Sequence, residues 1–191
     1  MSAQRRGTGA DSATQEKPRA QKEHVHGPHC NHSHDVICEF RIRHYKKEDY
    51  KQLRAVWKIS GIGLDDTDKA ASIHANLKRN SHGYRVFVIE AQMVDQKKKT
   101  PVSDARIGGG VITTFDGHRA YIYHLAVHPD FRGVGLGRAL LDTCERQAKL
   151  WNAKHLRLSA RTDKSRAPAH QIYKTSGWIA DDTIWTYKKT L

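Results

Sequence analysis

Two hydrophobic periods alternate along this chain, and the switches between them lay out its elements. In VICEFRIR, Val36, Cys38, Phe40 and Ile42 alternate with polar neighbours, which predicts a strand over 36–43. From Lys46 to Ile59 the spacing lengthens: Tyr50, Leu53, Val56 and Trp57 fall on one helical side. A second helix is predicted over 68–79 through Ala71, His74, Ala75 and Leu77, after the Gly- and Asp-rich connection SGIGLDDT. Tyr84 to Ala91 is rich in β-branched and aromatic residues and reads as a strand, followed by a polar insertion around Lys97–Lys99 and Pro101. Ala105–Phe115 and Arg119–Val127 are two further strands, and Asp116-Gly117-His118 is the turn that would make them a hairpin. Beyond Val134 the period returns to helical, with Leu140, Cys144, Ala148 and Trp151 as the stripe. Lys154–Ala160 alternates again, with Leu156, Leu158 and Ala160 inward. A short helix runs from Pro168 to a stop at Gly177, and Trp178–Lys188 supplies a last strand or two.

The first 35 residues stand apart from this pattern. Val25 is almost their only large apolar residue, and Gly, Ser, Thr, Gln and His crowd them, so residues 1–35 are expected to be a disordered tail and 36–191 a single folded domain. Five basic residues against four acidic ones leave the tail at +1 of the formal +13, so the charge belongs to the body. Such a balance suits an anionic partner, whether nucleic acid, membrane surface or polyphosphate, and equally a solvated basic surface. Three cysteines with no Cys-x-x-Cys pair form no disulfide framework and fit a reducing cytoplasm. No apolar stretch approaches the roughly 18 residues a membrane helix needs, and no secretory signal is expected.

The segment with the most chemistry in it is Leu125–Leu141, LAVHPDFRGVGLGRALL. A strand ends at Val127, Pro129 forbids its continuation, and a loop with Gly133, Gly135 and Gly137 runs into the amphipathic helix. Glycine lets backbone approach a ligand, and a helix start offers unsatisfied N–H groups and positive potential, so the fitting occupant is an anion. A dinucleotide fingerprint begun at Gly133 would need glycine at position 138, where Arg138 stands, and the tripeptide of a P-loop does not occur. The residues by themselves indicate a phosphate-bearing cofactor and leave its identity open.

Arg132-Gly133-Val134-Gly135-Leu136-Gly137 resembles the Arg/Gln-x-x-Gly-x-Gly/Ala signature of the GNAT superfamily of N-acetyltransferases, and Leu125-Ala126-Val127-His128-Pro129 resembles the strand that leads into it. Asp116-Gly117-His118-Arg119 is similar to a segment of one bacterial subgroup of small acetyltransferases. The order of elements from Val36 onward is similar too. The resemblance implies an α/β fold: a central mixed, mostly antiparallel sheet of six or seven strands with helices on both faces. It implies that acetyl-CoA is the acyl donor, its pyrophosphate held by the loop from Arg132 to Arg138. The pantetheine arm would pair with backbone at Leu125, Ala126 and Val127, in a gap where the strand ending near Val127 splays from the one ending near Ala160.

Acetylating an amine poses two proton problems. An alkyl ammonium of pKa about 10.4 must lose a proton before attack, and a thiol of pKa about 8.5 leaves best with one supplied. Ala169-His170-Gln171-Ile172-Tyr173 resembles a family segment whose tyrosine hydroxyl lies near the cofactor sulfur, which makes Tyr173 the candidate acid. Many relatives carry Asn at the start of that region to contact the pantetheine, whereas RTDKSRA at 161–167 has none. For the base, strand alternation puts Tyr121 and Tyr123 on one face with Leu125 and Val127, where they could hold a proton-relaying water, and points His124 to the opposite face. His118 and His128 fall at loop positions, and Cys144 lies on an apolar helix face, the place of an inert thiol.

The tail segment HVHGPHCNHSH would bind zinc, nickel or copper adventitiously if offered, but its spacing is wrong for a finger and no structural metal site is expected. The function expected is transfer of acetyl from acetyl-CoA to a primary amine, of a small molecule or a protein, by direct attack in a ternary complex. The alternative is a non-catalytic module that senses acetyl-CoA or holds nucleic acid. No recognition-helix or RNA-binding strand motif is present, so nucleic acid is disfavoured as a partner. No membrane association is expected, and a homodimer is left open.

Overall fold

The computed structural model describes residues 36–162, 167–183 and 189. The expected tail, residues 1–35 with their histidines, lies outside the described residues. The elements are β1 (Val36–His44), α1 (Tyr50–Ile59), α2 (Ala70–Arg79), β2 (Tyr84–Asp95), β3 (Thr100–Pro101), β4 (Arg106–Phe115), β5 (Ala120–Val127), α3 (Leu136–Leu150), β6 (Leu156–Leu158) and α4 (Ala167–Thr175). Six strands form one mixed sheet of order β1-β2-β4-β5-β6, with β3 beside β2. All pairings are antiparallel except β5 with β6.

The two faces of the sheet carry two cores. Leu53, Val56 and Trp57 of α1 and Ile73 of α2 pack with Val86, Val88, Ile112 and Ala126. On the other face Leu136, Leu140, Leu141 and Cys144 of α3 pack with Phe87, Ile89, Val111 and Ile122, joined by Ile172 and Tyr173 of α4. The central strands are buried on both sides, which is why β2 reads as a nearly continuous apolar run.

Four expectations need correction. In α2 the buried residue is Ile73, while Ala71 and Ala75 face solvent. The helix begins at Ala70, after a 3-10 turn at Asp66–Asp68 built on the side chain of Asp65, and this start sets the rotation of its stripe. β2 continues to Asp95 because Val36 of β1 pairs with it, and Asp95 Oδ1 then accepts from the N–H of Lys97 (2.9 Å) and of Lys98 (3.0 Å) in the turn to β3. At the C-terminal end, residues 178–183 form no strand, and 184–188 lie outside the described residues. β6 is only three residues long, so Ala160 is not part of it.

Candidate active site

The site begins where the sheet comes apart. β5 and β6 pair through Ala120↔Leu156, Tyr121↔Arg157 and Ile122↔Leu158, and pairing stops there. From Tyr123 to Val127, β5 is laddered to β4 alone among the described residues. His128 N–H donates to Gly108 C=O on β4 at 2.8 Å. Ladder groups alternate sides along a strand, so the N–H and C=O of Val127 face the side that β6 has left.

At His124 this alternation breaks. The β4–β5 register shifts between Gly110 and Ile112, a bulge, and His124 takes the left-handed φ of 55° that it requires. One extra residue reverses the parity of everything beyond it. Leu125 and Val127 therefore pack on the α3 face, whereas Ala126 lies in the core of the α1 face. Tyr123 is paired with Ile112, itself in the α1-face core, and its ring lies 6.3 Å from that of Tyr121. The expectation that the two tyrosines share a face with Leu125 and Val127 is thus wrong. They share it with His124, whose ring meets that of Trp57 at 5.2 Å. Tyr123 is 48% exposed, and partial burial, with Tyr121 beside it, holds its hydroxyl above the usual phenol pKa.

The loop after β5 is anchored before it turns. Phe131 plugs into the α3-face core with Arg106 stacked over its ring at 5.0 Å, and Arg106 also pairs with Asp130. His128, the loop histidine, caps the 3-10 turn Pro129–Phe131 by accepting from Asp130 N–H at 3.2 Å. Gly133 and Gly135 then take φ of 81° and 83°. The first bond of α3 runs from Ala139 N–H to Gly135 C=O at 3.0 Å, and no side chain caps the helix. The N–H groups of residues 133–138 consequently have no backbone acceptor among the described residues. Six donors at the start of a 15-residue helix form a cradle for an anion. A Cβ on Gly135 would meet nothing within 4 Å, so the cradle opens outward. Val134 and Leu136 send their side chains into the core, leaving only their backbone for a ligand.

The side chains of Arg132 and Arg138 bind the protein itself. Arg132 Nε donates to Val127 C=O at 3.0 Å, and Ser60 Oγ donates to the same oxygen at 3.2 Å. Arg132 Nη2 in turn reaches Ser60 Oγ at 3.3 Å. Arg138 Nη1 donates to Thr175 C=O at the end of α4 (3.2 Å). That helix carries Tyr173, whose ring is 6.2 Å from His170 and 6.2 Å from Trp178. Trp178 Nε1 donates to Glu145 on α3 at 3.1 Å. Two residues absent from the sequence reading belong here. Ser60 carries no signal beyond its Gly-rich connection. Asp68 is signalled by the reciprocal cap of Asp65-x-x-Asp68, in which Asp68 Oδ2 accepts from Asp65 N–H at 2.9 Å. Among the described residues no group of three or more His, Cys, Asp or Glu comes together, and no helix is long and apolar enough to cross a membrane.

The fold that carries this site is one that known proteins share. The model of the acetyltransferase (GNAT) family matches residues 62–178. The chain belongs to the GNAT acetyltransferases. An acetyltransferase of Yersinia enterocolitica is 27% identical over 150 residues, covering 78% of this chain and 95% of its own. Among solved structures, the glucosamine-6-phosphate N-acetyltransferase of Arabidopsis thaliana has a TM-score of 0.57 at 14% identity, over 78% of this chain and 97% of that one. A predicted acetyltransferase of Clostridium acetobutylicum, solved with acetyl-CoA, has a TM-score of 0.56 at 20% identity, over 78% and 96%. At these identities the structural likeness speaks for the fold.

Proposed function

We propose that this acetyltransferase moves an acetyl group from acetyl-CoA to a primary amine by direct attack within a ternary complex. The observation that carries this reading is the pairing of two features a few residues apart. One is the row of backbone donors at 133–138, and the other is the outward-facing backbone of Val127 on an open strand edge. The row of donors suits a pyrophosphate, and the edge suits an amide-bearing arm that lies down as an added strand. The arm would take over Val127 C=O from Arg132 and Ser60, and both displaced side chains would then lie beside it. The Clostridium relative that holds acetyl-CoA supports this choice of donor.

The bonds that change are few. The neutral amine nitrogen attacks the thioester carbon, the C–S bond breaks, and the thiolate takes a proton. Tyr173 is the residue we assign to supply that proton, held by α4 against the start of α3. Tyr121 and Tyr123 line the α1 side, where the acceptor would approach. Residues 36–191 are the catalytic unit in this reading. The test is thiol release from acetyl-CoA with a panel of small amines and peptides, confirmed by mass spectrometry of the acetylated product. Release above the hydrolysis rate with at least one amine is expected. Tight acetyl-CoA binding without any acetylated product would overturn the enzyme reading in favour of a sensor.

A further inference from the structure

The bulge in β5 delivers one more group to the acceptor side. His124 Nε2 lies 2.6 Å from Asp68 Oδ1, and Asp68 is only 5% exposed. The second carboxylate oxygen is already taken by Asp65 N–H, and Tyr50 OH donates to the Asp68 carbonyl at 3.1 Å, so the acid is held from three directions. A carboxylate can only accept, so Nε2 carries the proton of the shared bond and Nδ1 keeps its lone pair. Nδ1 has no protein partner among the described residues, and the side chain is 21% exposed. Beside it lies Trp57, whose ring packs edge-on against the imidazole and whose buried Nε1–H has no acceptor among the described residues. This is the arrangement by which a buried acid fixes the tautomer of a histidine and leaves the other nitrogen basic.

We propose that His124 is the base that takes the proton of the acceptor amine, with Asp68 as its orienting carboxylate. The proposal rests on the reading of the chain as an amine acetyltransferase. An ammonium N–H bond breaks and its proton passes to Nδ1, directly or through one water, giving an imidazolium stabilised by Asp68. The freed amine attacks the thioester carbon. As the C–S bond breaks, the thiolate takes the Tyr173 proton, and the tyrosine recovers one from the nitrogen of the new amide. The imidazolium returns its proton to solvent, so each turnover yields amide, free thiol and one proton. Position 124 suits the task because a strand residue in regular alternation would have pointed its ring into the α3-face core.

The experiment uses the full chain and an amine the wild type acetylates. His124→Gly keeps the left-handed backbone and opens an imidazole-sized space, while His124→Gln keeps a donor to Asp68 and no basic nitrogen. Both variants should lose about 10²–10³-fold in kcat with acetyl-CoA affinity by calorimetry unchanged. Added imidazole should raise the rate of the Gly variant and leave that of the Gln variant alone. A Gln variant with near wild-type kcat would reduce His124 to a structural tie and overturn the proposal, as would a Gly variant indifferent to imidazole. If the Gly variant melts below the assay temperature, the Gln variant decides alone. A wild-type chain that acetylates nothing fails before any variant is made, which separates that outcome from failure of the base.

Discussion

A Cβ placed on Gly137 would lie 3.2 Å from Cδ1 of Ile172, so the first turn of α3 and the middle of α4 meet so closely that even a methyl group would push the Ile172 side chain aside. Glycine at 135 answers a different need, a left-handed φ with open space in front of it. The two substitutions should therefore fail differently. Gly135→Val strains the backbone by about 1–2 kcal/mol and fills the space in front of the donors. Acetyl-CoA affinity should drop at least about tenfold, about 1.4 kcal/mol by calorimetry. Gly137→Val should displace α4, lowering the melting temperature and kcat together. Wild-type affinity in Gly135→Val would remove this loop from the phosphate site.

Tyr173→Phe keeps the ring against His170 and Trp178 and removes only the hydroxyl. If that hydroxyl protonates the thiolate, kcat should fall by about 10²-fold, the low end for general acids, because a thiolate already leaves well. Acetyl-CoA affinity should stay level. Wild-type kcat across the pH range, measured where chemistry limits the rate, would take Tyr173 out of the mechanism.

Arg43 grips Asp49 through two parallel bonds of 2.7 and 2.8 Å. Burial pushes the Asp49 carboxyl up, but these bonds and the Lys46 N–H outweigh it and hold it below the ordinary carboxylate value. The stability gained is therefore complete above the unfolded pKa of about 3.9 and is lost as pH falls through the lower folded value. Asp49→Asn should cost about 2–4 kcal/mol at neutral pH and flatten the acid end of the melting-temperature profile. An unchanged profile would mean that the pair contributes nothing.

Cys144 is fully buried on α3, and burial pushes its thiol up to about 12. Direct transfer needs no cysteine nucleophile. Cys144 should resist thiol reagents in the folded chain and react once urea unfolds it, and Cys144→Ala should lower stability by about 1–2 kcal/mol without slowing transfer. Trapping of an acetyl-Cys144 intermediate would refute direct attack.

Deleting residues 1–35 should leave acetyl transfer close to that of the full chain and remove most of its affinity for immobilised nickel. Loss of transfer in metal-free buffer would place the leader in the site.

The strands β1, β2, β4 and β5, the helices and the loop at 132–138 were legible because each is written locally, in a period or in glycines before a helix. Two kinds of information were not. The bulge at His124 has no local signature: it exists because β4 sets the register on one side, and that single insertion reversed the faces assigned to Tyr121 and Tyr123. The contact of Ser60 with Val127 spans 67 residues of sequence and depends on how α1 ends against β5. The choice of Ile73 over Ala71 for the core follows from the turn before α2, where the reciprocal cap in DDTD, and not the spacing of apolar residues, sets the phase of the helix.

Among the described residues no strand pairs with β5 from Tyr123 to Val127 on the side that β6 has left, and this has a meaning for the protein's life between turnovers. An unpaired strand edge is a template on which another chain can dock, the usual first contact of aggregation. Filling it with the coenzyme arm would put the donor in the place of a missing strand and tie folding to donor supply, by RT ln(1 + [L]/Kd). On this account, starving a cell of its acyl donor would do more than idle the enzyme: it would leave a sticky seam exposed, and turnover of the protein itself would begin there.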